Sequence, residues 1–174
     1  NFHGLNEVAN YWKGVLDINT WTQERISKEI VYKLFGTVSG KKIAIMGFAF
    51  KANTNDTRES SAIKICKNLI EEGACLSIYD PKVDKRQIEK DLNLNSSDYP
   101  TISSWIYAKS IYEAAENSDA IVILTEWNEF KNIEWSKINN IMRSPSWLID
   151  TRNIACHKEA LNHGIRVWRV GIDN

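Results

Sequence analysis

Two cations and an aromatic residue lie close together in a loop that should join a strand to a helix. Residues 47–60 read GFAFKANTNDTRES and include Phe50, Lys51 and Arg58. A lysine is a compact positive charge, whereas an arginine can hold two phosphate oxygens at once. We expect the helix to begin near Arg58, so that its first backbone N–H groups point into the same loop. The loop therefore favours an anion, and the aromatic face beside it suits a nucleotide.

A dinucleotide site would need more glycine than this loop contains. The G-x-G-x-x-G fingerprint lets the backbone approach a pyrophosphate, but here Gly47 stands alone before the bulky Phe48 and Phe50. We do not expect the loop to be the main NAD site. A second candidate cation, Arg152, lies in DTRN at 150–153, directly after another apolar run.

Structural roles for the same residues remain open at this point. Phenylalanines at a strand end are more often core than ligand contacts. Lys51 and Arg152 could be ordinary solvated side chains. Arg58 could pair with an acidic neighbour on its own helix, for which the candidates are Glu59, Glu71 and Glu72.

The remaining residues whose side chains could react or bind a metal form no recognisable catalytic or metal-binding set. The cysteines have no C-x-x-C spacing and are expected to be free thiols; they are Cys66, Cys75 and Cys156. The histidines have no ligand spacing and are expected on the surface or at helix caps; they are His3, His157 and His163. Several carboxylates lie near strand ends, but spacing alone cannot pair them as acid and base: Asp56, Glu59, Asp80 and Glu126. We expect Trp127 to anchor a loop against the sheet.

The segments that must position these residues alternate between strand and helix. Residues 1–36 carry a helical apolar pattern and form a predicted helical arm. Within it, a second helix is predicted to start at Thr20, where Gln23 would complete a capping box, and to end at Gly36 in the C′ position. From residue 37 onward, five apolar runs alternate with amphipathic segments, including a helix capped by Asp56 and Glu59 and a short helix near Lys85–Leu92. This alternation predicts an α/β fold, an open parallel sheet with helices on both faces.

Composition excludes some partners. Lys+Arg 22 balances Asp+Glu 22, so nothing favours nucleic acid. No apolar run approaches the roughly 18 residues that a membrane span needs. Free cysteines and the absence of a targeting signal lead us to expect a cytoplasmic protein. Because the chain starts without methionine and enters helix almost at once, we expect it to be part of something larger.

Several phrases together resemble the UDP-glucose 6-dehydrogenase family. GFAFK, DTRES, IYDPKV, TEWNEFK and IDTRN occur in that family's order and spacing, and NEVANYWKGVLDIN resembles the end of its central helical region. The resemblance covers nearly the whole chain. It implies a Rossmann-like UDP-sugar-binding domain over 37–174, after the arm at 1–36, and dimerisation through the central helices.

The resemblance also implies chemistry for the parent protein. The family oxidises UDP-glucose to UDP-glucuronate with two NAD+, through thiohemiacetal and thioester intermediates on a cysteine. Phe50, Lys51 and Arg152 are similar to residues that contact the UDP-sugar, and Arg58 to an arginine that reaches the NAD pyrophosphate. Some relatives have two arginines where this chain has Arg152 and Asn153. The glycine-fingerprint domain that binds most of the NAD and the cysteine segment are absent, so no catalytic residue is expected in these 174 residues.

Two other functions remain possible from the sequence. One is a related dehydrogenase acting on a UDP-N-acetylhexosamine or GDP-mannose, although GFAFK and DTRES favour the glucose branch. The other is a non-catalytic nucleotide-binding or assembly module, in which the helical arm pairs with its own copy.

Overall fold

A parallel sheet forms the centre of the computed structural model, which describes residues 5–93 and 105–172. Its strands in the described part are β1 Lys42–Met46, β2 Cys75–Tyr79, β3 Trp105–Tyr107, β4 Ala120–Ile123, β5 Trp147–Asp150 and β6 Arg166–Arg169. They are all parallel and lie in the order β3–β2–β1–β4–β5–β6. This confirms the predicted Rossmann-like open parallel sheet, and the strand order is that of the Rossmann fold.

Helices cover both faces of the sheet, as the alternation predicts. The α-helices in the described residues are α1 Asn6–Lys33, α2 Ser61–Glu71, α3 Lys85–Leu92, α4 Ile111–Ala115, α5 Trp135–Ile141 and α6 His157–Asn162, and Asn128–Asn132 form a 3-10 helix. In one layer α2 packs against α1 and α3, and in the other α5 packs against α4 and α6. The central strands β1 and β4 are buried almost throughout, which explains their unbroken apolar runs.

The sheet has one more strand than the five that we predicted. The additional strand, β3, has only three residues and pairs with β2 at the edge of the sheet. A three-residue edge strand is too short to show a recognisable period. The helix expected near Lys85–Leu92 is confirmed. Residues 94–104, which follow this helix, lie outside the described residues.

The helical arm is one continuous helix, so the predicted break at Thr20 is wrong. The Thr20 hydroxyl donates to the carbonyl of Leu16, one turn earlier, and does not cap a helix. Thr22 bonds to Ile18 in the same way. Both residues tolerate a helix interior because their hydroxyl groups find a partner on the preceding turn.

The end of α1 differs from the prediction by one residue. Phe35 occupies C′ with φ +66°, and its N–H donates to Tyr32. Gly36 follows with φ +78°, and its N–H donates to Val31, which completes a Schellman motif. Gly36 is therefore C″ and not C′. The division of the chain at residue 36 stays a prediction.

The second helix starts later than the sequence suggested. The predicted cap by Asp56 and Glu59 is wrong, because α2 begins at Ser61 and its N-cap is Ser60. The Ser60 hydroxyl accepts from the N–H of Ala62 and donates to the carbonyl of Phe48, at 2.8 Å. Arg58 consequently lies in the loop, ahead of the helix and outside its first turn.

Candidate functional site

The loops after β1, β4 and β5 leave the sheet at the same edge. Met46 pairs with Ile123, and Ile123 pairs with Asp150, so the three strands end level with one another. The order of the strands reverses between β1 and β4. Open parallel sheets bind their ligands at such a switch point, in the crevice beyond the carboxyl ends of the strands.

Gly47 lets the first of these loops pass close to β4. Its φ is +91°, and a Cβ atom built there would lie 2.5 Å from Cβ of Thr125. The Thr125 hydroxyl donates to the carbonyl of Ala49 at 2.7 Å, which fixes the two loops together. The lone glycine of this loop therefore serves the packing of two loops and not the approach of a pyrophosphate.

The carboxylate of Asp80, at the end of β2, holds the β1 loop in place. One oxygen accepts the N–H groups of Phe48 and Ala49, at 2.7 and 3.0 Å, together with the indole N–H of Trp127 at 3.1 Å. The other oxygen accepts two N–H groups of the following turn, from residues 82 and 83. This carboxylate is buried and fully engaged by internal donors. It is structural, and the prediction that Trp127 anchors a loop is confirmed.

Asp150 does the same for the loop after β5. One of its oxygens accepts the N–H of Arg152 at 2.9 Å. The other accepts the N–H groups of Ile154 and Ala155 and contacts Nε2 of His157 at 2.8 Å. Since Asp150 is completely buried, these contacts replace the water that its charge has lost.

His157 is more than the surface or capping residue that we expected. Although it is the first residue of α6, its side chain is only 15% exposed. Nη1 of Arg169 lies 3.3 Å from its Nδ1. Arginine can only donate, so Nδ1 is the acceptor and Nε2 carries the proton that it donates to Asp150. His163, by contrast, is exposed at the end of α6, as predicted. His3 lies outside the described residues.

The side chain of Arg152 is held through its Nε atom. Its Nε donates to the carbonyl of Leu124 at 2.7 Å and lies 3.5 Å from Oε2 of Glu126. The terminal Nη1 and Nη2 groups have no hydrogen-bond partner among the described residues. The next residue, Asn153, has φ +53°, a conformation that asparagine adopts more readily than arginine.

Phe50 and Arg152 line one cavity of about 610 Å³. Phe50 is 49% exposed, whereas Phe48 is fully buried in the core. The sequence left open whether these two phenylalanines are core residues. Phe48 is a core residue, and Phe50 is not. The middle of α1 forms the opposite wall, with Asn19 and Gln23 among its residues. The cavity therefore lies between the arm and the switch point of the sheet.

Lys51 and Arg58 lie in the same loop as Phe50 but do not line this cavity. Arg58 pairs with Asp56 at 2.7 Å, and not with the three glutamates considered above, while its side chain stays 88% exposed. The Arg58 side chain, its backbone N–H and its charge lower the pKa of Asp56 to about 2, and Lys51 adds a smaller effect. The structure thus brings together two of the four predicted site residues and leaves the other two at the solvent.

Two contributors to the site were given no role from the sequence, although Glu126 was named among the carboxylates near strand ends. Glu126 contacts both Arg152 and the backbone N–H of Ala52, at 3.3 Å, and so connects two loops. Asp150 was quoted only as part of DTRN. An aspartate directly after an apolar run, as in IYDP and LIDT, was the available signal.

The described residues give little support for a metal site, for cysteine chemistry or for a membrane span. No group of three or more His, Cys, Asp or Glu side chains among them could hold a metal ion. All three cysteines are free thiols, and burial raises the pKa of the Cys66 thiol well above its usual range. Within 5–93 and 105–172, no helix combines the length and apolar character of a membrane span.

A doubly wound parallel sheet with a cation and an exposed aromatic ring at its switch point defines a Rossmann-like α/β domain of the ligand-binding kind. Comparison with known proteins narrows the class. Residues 44–157 match the model of the UDP-glucose/GDP-mannose dehydrogenase family, UDP binding domain. The chain belongs to this family.

Individual relatives agree with this assignment. The chain is 46% identical over 167 residues to UDP-glucose 6-dehydrogenase of Caenorhabditis elegans, covering 96% of this chain and 35% of that protein. It is 41% identical over 180 residues to UDP-glucose 6-dehydrogenase 2 of Arabidopsis thaliana, covering 97% and 38%. The chain thus spans little more than a third of these relatives.

Solved structures show the same fold. A UDP-glucose dehydrogenase from Pyrobaculum islandicum aligns with a TM-score of 0.65 at 23% identity, covering 90% of this chain and 31% of that one. A UDP-D-ManNAc dehydrogenase from Pyrococcus horikoshii aligns with a TM-score of 0.61 at 27% identity, covering 86% and 30%.

Proposed function

We propose that this chain binds the UDP part of UDP-glucose or UDP-glucuronate at the carboxyl edge of β1, β4 and β5. In the whole protein, this site would serve the oxidation of UDP-glucose to UDP-glucuronate with two NAD+. The observation that carries the proposal is the shared cavity of Phe50 and Arg152 at the switch point of a UDP-binding-family domain.

Each predicted residue has a distinct role in the proposal. The terminal N–H groups of Arg152 would hold phosphate oxygens in pairs, which planar guanidinium geometry suits. The exposed ring of Phe50 would pack against an apolar part of the ligand. Lys51, on the same loop, would reach the sugar and phosphate end from the solvent side.

The main NAD site does not fit on this sheet. The β1 loop lacks the glycine fingerprint, and Gly47 packs against Thr125, which leaves no room for a pyrophosphate beside it. Asp80, at the end of β2, is in the position of an acid that could bind a ribose, but internal donors engage both of its oxygens. We therefore assign only Arg58 a contact with NAD, whose nicotinamide would accept hydride in the whole protein. The exposed guanidinium is free to leave Asp56 for a pyrophosphate.

Calorimetric titration of the chain with UDP tests the proposed site. We expect Arg152→Ala and Lys51→Ala each to weaken UDP binding about tenfold or more, the usual effect of losing a charge-assisted hydrogen bond. Arg143→Ala and Lys137→Ala are matched controls, because these cations form ion pairs with Asp119 and Glu134. Unchanged UDP affinity in both site variants would refute the assignment.

The identity of the sugar calls for a second comparison. The curated relatives at 41–46% identity are UDP-glucose 6-dehydrogenases, which favours glucose over the alternatives. UDP-glucose, UDP-N-acetylglucosamine and GDP-mannose should be titrated in parallel. Tightest binding of GDP-mannose would move the protein to another branch of the family.

We expect no NAD+ reduction when the 174-residue chain is mixed with UDP-glucose, because its sequence contains neither the dinucleotide fingerprint nor the cysteine segment of the family. Absorbance at the NADH band measures this directly. Turnover by the pure chain would contradict the proposal that it supplies only the UDP site.

The arm also supports a proposal about assembly. We infer that the first half of α1 pairs with a second copy of the chain, because its large apolar side chains are exposed to solvent. The rival assembly module differs from the leading function in one respect: it would oligomerise without binding UDP.

The cytoplasmic location stays a prediction, to which the three free thiols are suited.

A further inference from the structure

The β4 loop supplies a carboxylate that contacts both of the loops thought to hold UDP. Oε1 of Glu126 accepts the N–H of Ala52, the residue after Lys51, at 3.3 Å. Oε2 of the same side chain lies 3.5 Å from Nε of Arg152. One carboxylate thus spans the gap between the β1 loop and the β5 loop.

The position of Arg152 depends on these inner contacts. Its Nε donates to the carbonyl of Leu124 at 2.7 Å and lies within ion-pair distance of the Glu126 carboxylate, 3.5 Å from Oε2. Together they fix the guanidinium from one side, so that the edge with the two terminal nitrogens is the one left for a ligand. Bidentate binding of phosphate requires this edge to be held at a defined angle.

From this geometry we propose that Glu126 is a positioning residue, which sets the spacing between Arg152 and the loop of Phe50 and Lys51. The proposal rests on the UDP site proposed above. Glu126 carries a negative charge, so direct contact with a diphosphate would be repulsive. Its effect on binding must therefore act through Arg152 and the β1 loop.

The chemistry of the side chain supplies a specific variant. A carboxylate accepts hydrogen bonds at both oxygens, whereas an amide has one acceptor and one donor. Glu126→Gln keeps the size of the side chain and an oxygen that can accept from Ala52 N–H, but it removes the negative charge that pairs with Arg152. The link to Arg152 is then lost without creating a cavity. Because Glu126 is 41% exposed, we expect the melting temperature to stay within about 2 °C of the parent.

A double-mutant cycle in UDP affinity tests the proposal. We expect Glu126→Gln to weaken UDP binding about fivefold in the parent chain and to have less than about a twofold effect in the Arg152→Ala background. Such non-additivity would not arise if Glu126 were merely part of the general scaffold. Glu129→Gln is the matched control: Glu129 lies in the same loop but accepts from the Tyr79 hydroxyl and should leave UDP affinity unchanged.

The outcomes separate this inference from the proposed function. If Arg152→Ala weakens UDP binding while Glu126→Gln has no effect, strengthens binding or has the same effect in both backgrounds, Glu126 does not act through Arg152. The UDP site would survive and the positioning role would not. If Arg152→Ala itself leaves UDP affinity unchanged, the positioning role is overturned, and the proposed site is overturned with it if Lys51→Ala also has no effect.

Discussion

At the scale of single residues, the site depends on side chains that satisfy backbone donors more than on those that face the ligand. Asp150 is the last residue of β5 and accepts N–H groups of the loop that follows it. Asp80 directly follows β2 and accepts N–H groups of the β1 loop and of its own following turn. Buried carboxylates of this kind fix loop geometry because every lost hydrogen bond would leave a costly unsatisfied group. Phe50, Arg152 and Glu126 can be presented at defined positions because the loops beneath them are fixed.

Gly47 offers a direct test of how closely two of these loops pack. We expect Gly47→Ala to lower the free energy of unfolding by about 3 kcal/mol or more, through positive-φ strain and a clash with Thr125. Gly40→Ala is the control, since Gly40 has φ +71° but an added Cβ there would meet no atom within 4 Å, and it should cost about 1 kcal/mol. Urea denaturation of both variants gives the comparison. Equal losses would show that φ alone matters.

The ion pair of Asp56 and Arg58 can be tested by titration. NMR of the Asp56 carboxyl carbon should report a pKa of about 2, compared with its ordinary value of 3.8. The folded-state pKa is lowered, so the stabilisation from this pair is present above pH 3.8 and is lost as the pH falls through about 2.

Two variants separate the causes of that shift. Arg58→Ala should raise the pKa of Asp56 toward 3.8, but only part of the way, because the backbone N–H of residue 58 still donates to it. Lys51→Ala should raise it less, since Lys51 contributes only a small charge effect. A larger rise from Lys51→Ala than from Arg58→Ala would show that the pairing is wrong.

At the scale of elements, hydroxyl side chains of the same kind have different roles in α1 and α2. Thr20 lies inside a helix and bonds to the preceding turn, whereas Ser60 caps a helix and also bonds to the strand end at Phe48. The capping-box spacing misleads here, because Thr20 has Gln23 three residues later without capping a helix, whereas Ser60 caps α2 with Ile63 in that position.

Paired alanine substitutions measure this difference. We expect Ser60→Ala to cost about 1–2 kcal/mol of stability, since it removes an N-cap and a buried hydrogen bond. Thr20→Ala should change stability by less than about 0.5 kcal/mol or raise it slightly, because alanine has the higher helix propensity. Chemical denaturation followed by circular dichroism gives both values. A loss of about 1 kcal/mol or more at Thr20 would restore the predicted helix start there.

At the scale of the whole molecule, the two halves of α1 have different surroundings. Ile26, Ile30 and Leu34 are buried, and Ser27 bonds to Asn68 of α2. The segment from Leu5 to Trp21, in contrast, exposes a set of large apolar side chains that are between 49% and 68% exposed: Leu5, Val8, Tyr11, Trp12, Leu16, Ile18 and Trp21. Such a continuous apolar surface is unusual on an isolated monomer and is typical of an interface.

Substituting the aromatic residues on this surface tests the inferred self-association. We expect Trp12→Ser combined with Trp21→Ser to shift the chain toward monomer in light scattering, with an association constant weaker by about tenfold or more, because aromatic residues dominate interface energies. Leu161→Ser is the control, since Leu161 is equally exposed but lies on α6 in the opposite layer. A parent chain that is monomeric at high concentration would refute the interface.

The sequence by itself determined the class of fold and the order of most elements. The buried residues of β1, Ile43–Met46, are apolar in every position, and such a run is visible in the sequence without knowledge of the fold. The sequence also marked the residues to test, Phe50, Lys51, Arg58 and Arg152, through loop position and through family resemblance. The short edge strand β3 and the start of α2 were missed because their local signals are weak or ambiguous.

Only the tertiary structure decided which of those residues share a cavity and what holds them. Phe50 and Arg152 are about a hundred residues apart in the chain and come together because β1 and β5 end level with one another on either side of β4. The Glu126 contacts to Ala52 and Arg152, and the internal donors of Asp80, likewise join segments that are distant in the chain. Such contacts depend on strand order and register, which no local pattern of residues records.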